Sequence, residues 1–335
     1  MFKQFWLNIG IKMISLGIES TAHTFGVGIA DQKGRILANR KSVYATKHGG
    51  MIPAKVSEHH LESFEGVLSD AVNDAGISLA DVDVIAYSKG PGIGHTLRIG
   101  SALARSLSLL LKKPIVGVNH CIAHLEIGRA LTPCKDPVFL YVSGANTQII
   151  AFEEARYRIF GETLDIGVGN FIDAFAREAG LGFPGGPEVE KLAKKSSGKY
   201  VELPYVVKGM DFSFGGILTQ LKKMLKEHSV EDLCFSLQET AFAMLLEASE
   251  RAMAHTGKKE LLLGGGVACN KRLQEMSKAM CFERGAKCFI LENQFNADNG
   301  AMIAWLGLLE ARKRNFEKID KTSILPYWRT DEVQP

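Results

Sequence analysis

ISLGIESTAHTFGVGIAD, residues 14–31, sets one apolar run against another across a short polar turn. ISLGIES ends in polar residues, TAHT turns the chain, and FGVGIAD is apolar again, with GRILANRKSV (34–43) behind it. Apolar runs separated by small and hydroxyl residues predict strands, so the stretch opens a hairpin-led meander. Helical spacing follows in AKVSEHHLESFEGVLSDAVNDAG (54–76), where Leu61, Phe64, Leu68 and Val72 are expected on one face. A strand VDVIAYSKG (82–90), a helix near TLRIGSALARSLSLLL (96–111) and a strand PIVGVNH (114–120) complete the unit.

Past the linker TPCKDP (132–137) the same order restarts. VFLYVSG (138–144), the turn ANT, QIIAFEE (148–154) and YRIFGETL (157–164) form a second three-strand meander. Helices, the strand ELLLGGGV (260–267), another helix, CFILEN (288–293) and a last helix near NGAMIAWLGLLEARKR (299–314) follow. A hairpin-led mixed sheet with crossover helices, occurring twice, predicts an internally duplicated α/β protein. The expected organisation is an N-terminal extension over 1–12, an N-terminal lobe over 13–132 joined by roughly 300–330, and a C-terminal lobe over 133–299. Two such lobes would leave a cleft, where ligand sites collect.

At 335 residues and 46% hydrophobic content the chain can bury two ordinary cores. Its formal net charge of +3 neither announces nor excludes a nucleic-acid partner, because such proteins often carry only a local basic face. Lys191, Lys194, Lys195 and Lys199, then Lys222, Lys223 and Lys226, and Arg312, Lys313 and Arg314 are candidate patches. The plain alternative for each is a solvated helix face. The cysteines at 121, 134, 234, 269, 281 and 288 contain no C-x-x-C pair, which reads as a reduced, cytoplasmic protein. MFKQFWLNIGIK lacks the continuous apolar core of a signal peptide, and no run approaches a membrane span.

GVNHCIAHLEIGR (117–129) places His120 and His124 four apart, on one face of a helix. Zinc-protease helices use that spacing, with a glutamate beside the first His as general base. Here Cys121, Ile122 and Ala123 intervene, so the pair can hold a metal without the hydrolytic base. Asp298 at the head of the last helix either caps it or joins the two His as a third ligand. Two His and a carboxylate suit Zn²⁺ and Fe²⁺ equally. The small and hydroxyl residues of TAHT and GANT can aim backbone N–H groups at phosphate oxygens. Gly264, Gly265 and Gly266 let backbone approach a nucleotide before a helix start, or only make a tight turn. FPGGPEVEKLA (183–193) offers Gly185 and Gly186 before a Pro-started helix, with Glu190 able to accept from ribose hydroxyls; the glycines alone suffice for a cap. Asp173 is a lone acid on an otherwise apolar helix, DIGVGNFIDAFAREAGL (165–181).

NHCIAHLEIGR, LYVSGANTQII, ETLDIGVGNFIDAFAREAGL, FPGGPEVEKLA, KGMDFSFGGILT, LLLGGGVACNKRL and NADNGAMIAWLG occur in that order. Together they closely resemble the tRNA N6-adenosine threonylcarbamoyltransferase family, in its archaeal and eukaryotic branch, the catalytic subunit of the KEOPS complex. The resemblance runs from Met13 to about Asp331. It implies the duplicated actin/hexokinase-like (ASKHA) α/β fold, two lobes with a central nucleotide cleft. It implies transfer of a threonylcarbamoyl group from threonylcarbamoyl-AMP to N6 of the adenosine beside the anticodon, in tRNAs reading codons that begin with A, with AMP released. His120, His124 and Asp298 would hold one Fe²⁺ or Zn²⁺, with Tyr141 on or close to it. Tyr141, Val142, Ser143, Gly144 and Ala145 would line the acyl-phosphate end, Asp173 and Glu190 the ribose, Gly186 the nucleoside, and Asn270 the base or ribose. The cleft would take an adenine nucleotide, threonylcarbamoyl-AMP or ATP. Partners implied are tRNA, a small atypical protein kinase, fused in some archaea, and a small dimerising and a regulatory subunit; no membrane is implied.

Two departures stand out. ESTAHT lacks the aspartate that phosphate-transferring members of the wider fold carry at that turn, and SGANTQ has Ala145 where a glycine is expected. Rivals are a zinc-dependent glycoprotein endopeptidase, an ATPase or sugar kinase of the same fold, and a non-catalytic nucleotide-binding scaffold.

Overall fold

The structure, a computed structural model, describes residues 13–46 and 51–334; the expected extension over 1–12 lies outside them. The chain divides into two compact units. One holds the described part of Met1–Ser42 with Ser57–Ala123 and Asn299–Tyr327, and the other holds Val43–Val56, His124–Asp298 and Trp328–Pro335 where described.

In the first unit, β1 (Ile14–Glu19) pairs antiparallel with β2 (Thr24–Asp31), setting Ile18 against Val27 and Gly17 against Gly28. β3 (Ile36–Val43), α1 (Pro53–Ala75), β4 (Val84–Gly90), α2 (Gly94–Leu111) and β5 (Ile115–Asn119) follow, and α3 (His120–Leu131) begins where β5 ends. The sheet order is β3-β2-β1-β4-β5, with β4 parallel to β1 and β5 parallel to β4. β1 and β2 are buried along their whole length, which is why they read as near-continuous apolar runs rather than strict alternation. Leu16, Ile18, Val27 and Ile29 share a core with Val67 and Ala71 of α1 and Ala104 and Leu107 of α2.

Gly17 and Gly28 have a different task. The helix Gly300–Arg312 lies so close that a Cβ on Gly28 would stand 2.1 Å from the Ala301 nitrogen, and one on Gly17 2.1 Å from the Ala304 nitrogen. The obstacles are backbone atoms, which cannot rotate away. Gly28→Val is therefore expected to destabilise the protein by about 3 kcal/mol, the upper end for overpacking, as a lowered midpoint in urea unfolding.

The face of α1 differs from expectation. Its buried line runs through Val56, His60, Val67 and Ala71, while Phe64, Leu68 and Val72 are half-buried and Leu61 is 61% exposed. At about 100° per residue, Leu61 lies well round the helix from that line. A histidine occupies the core position that the leucine was expected to fill.

The second unit repeats the plan. β6 (Val138–Val142), β7 (Thr147–Glu153) and β8 (Arg156–Glu162) form an antiparallel meander, followed by α4 (Val168–Glu178) and α5 (Gly186–Ala193). A short hairpin, β9 (Val207–Lys208) and β10 (Asp211–Phe212), leads to α6 (Gly215–Met224) and α7 (Val230–Thr256). β11 (Glu260–Gly264), α8 (Lys271–Glu283), β12 (Lys287–Ile290) and α9 (Asn293–Asn296) precede α10, the helix Gly300–Arg312. The sheet order is β12-β11-β6-β7-β8, with β11 parallel to both β6 and β12. From its meander edge inward this is the order of the first sheet. Most of α7 is buried, with Leu233, Leu237, Ala241, Leu245 and Ala248 inside the core, while Glu239, Glu247 and Glu250 keep one side of it partly open to solvent.

Asp165 ties two of the quoted motifs together. Its carboxylate accepts from the backbone N–H groups of Ile166, Phe214 and Gly215 at 2.7 to 3.0 Å. Burial raises its pKa, but those hydrogen bonds outweigh burial and hold it below the ordinary value. Among the described residues no helix is long and apolar enough to cross a membrane, and none of the six cysteines is in a disulfide.

Candidate metal centre and nucleotide site

β5 delivers the chain directly into α3, so His120 opens the helix and His124 stands one turn along it. The Asn119 side chain accepts from the N–H groups of Cys121 and Ile122 at 3.0 and 3.2 Å, which fixes that first turn. Both imidazoles are buried. His124 Nε2 lies 3.3 Å from Asp298 Oδ1. One donor atom from each of His120, His124 and Asp298 falls within 4.8 Å of the others, a grouping able to hold a metal ion.

The alternative role for Asp298, capping the last helix, is filled by its neighbour. Asn299 is the N-cap of α10 and its side chain accepts from Met302 N at 3.0 Å. Asp298 is left to face His124. Two imidazoles and one carboxylate fit Zn²⁺ or Fe²⁺ in donor type and in number, with coordination positions to spare.

Sequence reasoning overlooked Glu19. It is fully buried at the end of β1, and its Oε2 lies 2.9 Å from His120 Nδ1. Its Oε1 accepts from both the backbone N–H and the hydroxyl of Thr21, each at 2.6 Å. The available signal was an acid closing an otherwise apolar strand. This geometry also revises the expectation for the TAHT turn. Thr21 N–H is directed at Glu19 rather than outward, and Ser20 N–H donates to Ser88 Oγ at 3.0 Å.

The second turn is built differently. Ser143 and Asn146 close it on themselves: Ser143 N–H and its hydroxyl both donate to the Asn146 carbonyl at 2.9 Å. Gly144 and Ala145 between them are exposed, and among the described residues their N–H groups donate to no protein acceptor. Ala145 does not occupy the left-handed backbone region, so alanine there needs no distortion. The turn sits on the start of α4, whose Gly169 and Asn170 N–H groups donate to the carbonyls of Ser143 and Gly144 at 3.0 and 2.9 Å. Tyr141, on the strand leading into the turn, is buried with its ring centroid 5.2 Å from that of His124; Val142 is buried beside it.

Asp173 accepts from Gly185 N at 2.7 Å and lines a hollow of about 200 Å³ with Met51, Asn170, Arg177 and Phe183. Gly186 opens α5 and faces open space. Glu190, on α5, accepts from Lys194 Nζ at 2.7 Å and from Lys271 N at 3.4 Å. Asn270 is held within the fold through both ends of its amide. Its side-chain oxygen caps α8 by accepting from Arg272 N and Leu273 N at 2.9 and 3.2 Å, and its amide nitrogen donates to Gln238 Oε1 at 2.6 Å.

The three glycines after β11 divide. Gly264 packs where a Cβ would stand 2.6 Å from the Phe139 ring, Gly265 has φ of +92° and passes Val142 O closely, and only Gly266 faces open space. They lead into a short 3₁₀ turn, Gly266–Cys269, rather than directly into a helix. A larger hollow of about 740 Å³, lined among others by Arg129, Lys135, Phe152 and Lys258, contains none of the candidate residues. Several cations of the basic runs are ion-paired, Lys191 with Glu188, Lys194 with Glu190, Lys222 with Glu178 and Lys313 with Glu310.

Comparison with solved structures places the fold. HypF of Thermococcus kodakarensis aligns over 90% of this chain and 48% of its own, with a TM-score of 0.60 at 14% identity. The (R)-2-hydroxyglutaryl-CoA dehydratase component A of Acidaminococcus fermentans aligns over 90% of this chain and all of its own, with a TM-score of 0.57 at 12% identity. At these identities the likeness concerns fold alone, and with the repeated sheet order it gives the duplicated actin/hexokinase-like α/β fold. Sequence comparison is more specific. A family model described as "TsaD: tRNA N6-adenosine threonylcarbamoyltransferase" matches residues 35–305. Thermococcus kodakarensis has a tRNA N6-adenosine threonylcarbamoyltransferase that is 53% identical over 96% of this chain and 99% of its own length. One from Thermofilum pendens is 51% identical over 95% of each chain. A "Probable bifunctional tRNA threonylcarbamoyladenosine biosynthesis protein" of Methanothermobacter thermautotrophicus is 52% identical, and this chain spans 60% of its length. A match of that extent at half identity leaves one assignment: the chain belongs to the tRNA N6-adenosine threonylcarbamoyltransferase family.

Proposed function

We propose that this chain transfers the threonylcarbamoyl group of threonylcarbamoyl-AMP to N6 of the adenosine beside the anticodon in tRNAs that read codons beginning with A. The C–N6 bond forms as the bond between the carbamoyl carbon and the phosphate oxygen breaks; AMP leaves, and the N6 proton passes to solvent. The observation that carries this reading is local. His124, one of the metal-capable trio, packs on Tyr141, three residues before a turn presenting the Gly144 and Ala145 N–H groups. That arrangement supports carbonyl activation beside a phosphate grip, the pairing an acyl-phosphate substrate requires.

A Zn²⁺ or Fe²⁺ ion held by His120, His124 and Asp298 would supply Lewis acidity toward the carbamoyl oxygen. The chain itself binds and orients. Gly144 and Ala145 N–H groups hold the phosphate, and Tyr141, Val142 and Ser143 form the wall that carries them. Asp173 and Glu190 accept from the ribose hydroxyls, with the nucleoside over the open backbone of Gly186. Asn270 acts through placement: by capping α8 it sets Lys271 beside Glu190. An adenylate is already a good leaving group, so no strong general base is needed. The buried acid near the His pair, Glu19, has both oxygens engaged by Thr21 and His120, which disfavours the endopeptidase alternative.

The family resemblance supplies the proposed partners: tRNA, a small atypical kinase, a small dimerising subunit and a regulatory subunit, with the work done in the cytoplasm. The test is transfer from threonylcarbamoyl-AMP to unmodified tRNA by the chain with those subunits, read as the modified nucleoside by mass spectrometry. No product, with subunits that support another catalytic member of the family, would refute the reading.

A further inference from the structure

We infer that Glu19 is the positioning residue of the metal centre, fixing which nitrogen of His120 faces the ion. The inference rests on the metal reading above and adds a residue to it. A neutral imidazole carries one N–H and one lone pair, and which nitrogen holds which is set by the ring's other hydrogen bond. Glu19 Oε2 stands 2.9 Å from His120 Nδ1, so the proton sits on Nδ1 and the lone pair on Nε2, the nitrogen left for a metal. The carboxylate cannot swing away. Its other oxygen is held by Thr21 N–H and Thr21 Oγ–H at 2.6 Å, and it is wholly buried.

The turn is fixed in its own right. Thr21 O accepts from Ile93 N at 2.8 Å and from the Thr96 hydroxyl at 3.3 Å. Ser20 Oγ lies where a Cβ on Gly100 would come within 2.0 Å, so α2 locks the turn from the other side. A buried carboxylate retained at this depth needs partners, and the three it has are two donors of one threonine and one imidazole.

Glu19→Gln separates this role from packing. The amide has nearly the shape of the carboxylate, but it offers one acceptor where three donors converge. If its oxygen faces Nδ1–H, its NH₂ meets the two Thr21 donors; if it turns over, NH₂ meets the imidazole. The experiment titrates the wild-type chain, Glu19→Gln and Glu19→Asp with Co²⁺, following visible absorption and calorimetry, with urea midpoints in parallel. Glu19→Gln is expected to bind Co²⁺ about 10- to 100-fold more weakly, with an altered ligand-field spectrum. Glu19→Asp, which keeps the charge but retracts it by one methylene, is expected to bind between the two. Glu19→Gln with wild-type affinity and spectrum overturns the inference alone, and so does Glu19→Asp binding no better than Glu19→Gln at an equal urea midpoint. A wild-type chain that takes up no divalent metal overturns it together with the metal centre, whatever the transfer assay gives.

Discussion

His120→Ala is expected to lower threonylcarbamoyl transfer by about 1,000-fold or more, roughly 4 kcal/mol of transition-state stabilisation. The loss exceeds that of a single binding contact because, in the proposed site, one side chain serves two ends: it offers a nitrogen to the metal and is the partner of Glu19. Truncation leaves two donors on the metal and removes one of three from the carboxylate. The carboxylate keeps both Thr21 contacts at 2.6 Å, so it is not stripped bare, and the fold is expected to survive. Single-turnover transfer, metal content and a urea melt measured on one preparation check this. Chelation should reduce the wild type to the same level, and added Zn²⁺ or Fe²⁺ should restore the wild type but not the variant. A His120→Ala protein that modifies tRNA at the normal rate would remove the metal from the reaction.

Periodicity made the duplication legible, because strand alternation, turn residues and crossover helices are local signals. The repeated sheet order follows from them. The stripe on α1 was misplaced by one residue because a leucine was preferred to a histidine for the core, whereas packing buried His60 against Phe25, ring centroids 5.5 Å apart. At the candidate site, spacing put His120 and His124 together, since four residues is about one helical turn. Spacing could not decide whether Asp298 capped or faced the pair, because both roles favour the same residue at the same place; Asn299 decides it in three dimensions.

Glu19 was illegible for another reason. It stands 101 positions from His120, and no local pattern records a contact made by closing the β1–β4–β5 register. The same holds for Asn270, whose capping role is local but whose bond to Gln238 is not. The two hairpin turns look alike as TAHT and GANT, yet one gives the Thr21 N–H to a buried acid, while the N–H groups of Gly144 and Ala145 in the other donate to no protein acceptor among the described residues. Duplication supplied the same turn twice, and a single buried glutamate made their chemistry different.

Stability is expected to fall by as much as about 3 kcal/mol between pH 6.5 and pH 4 on account of His60 alone. Burial pushes this imidazole down to about 4; the neighbouring His59, and to a lesser degree His23, add to the effect, and a hydrogen bond to the Ala22 carbonyl offsets part of it. The unfolded chain takes up a proton near pH 6.5, while the folded chain refuses it until about pH 4. Between those limits the unfolded state binds more protons, so the contribution is whole above pH 6.5, declines as the pH falls, and changes no further below about 4. Asp165 and Glu260, whose backbone hydrogen bonds outweigh burial and hold them below the ordinary carboxylate value, lose their contribution in a lower, separate window. Urea unfolding in steps from pH 7 to 4 measures the slope, and His60→Met, similar in volume and without a titrating group, should flatten it in that range. An unchanged slope would mean that the imidazole is not kept neutral in the fold. The position makes the effect matter for the site, because the Ala22 carbonyl that His60 contacts lies next to Thr21, and Thr21 holds Glu19 against His120.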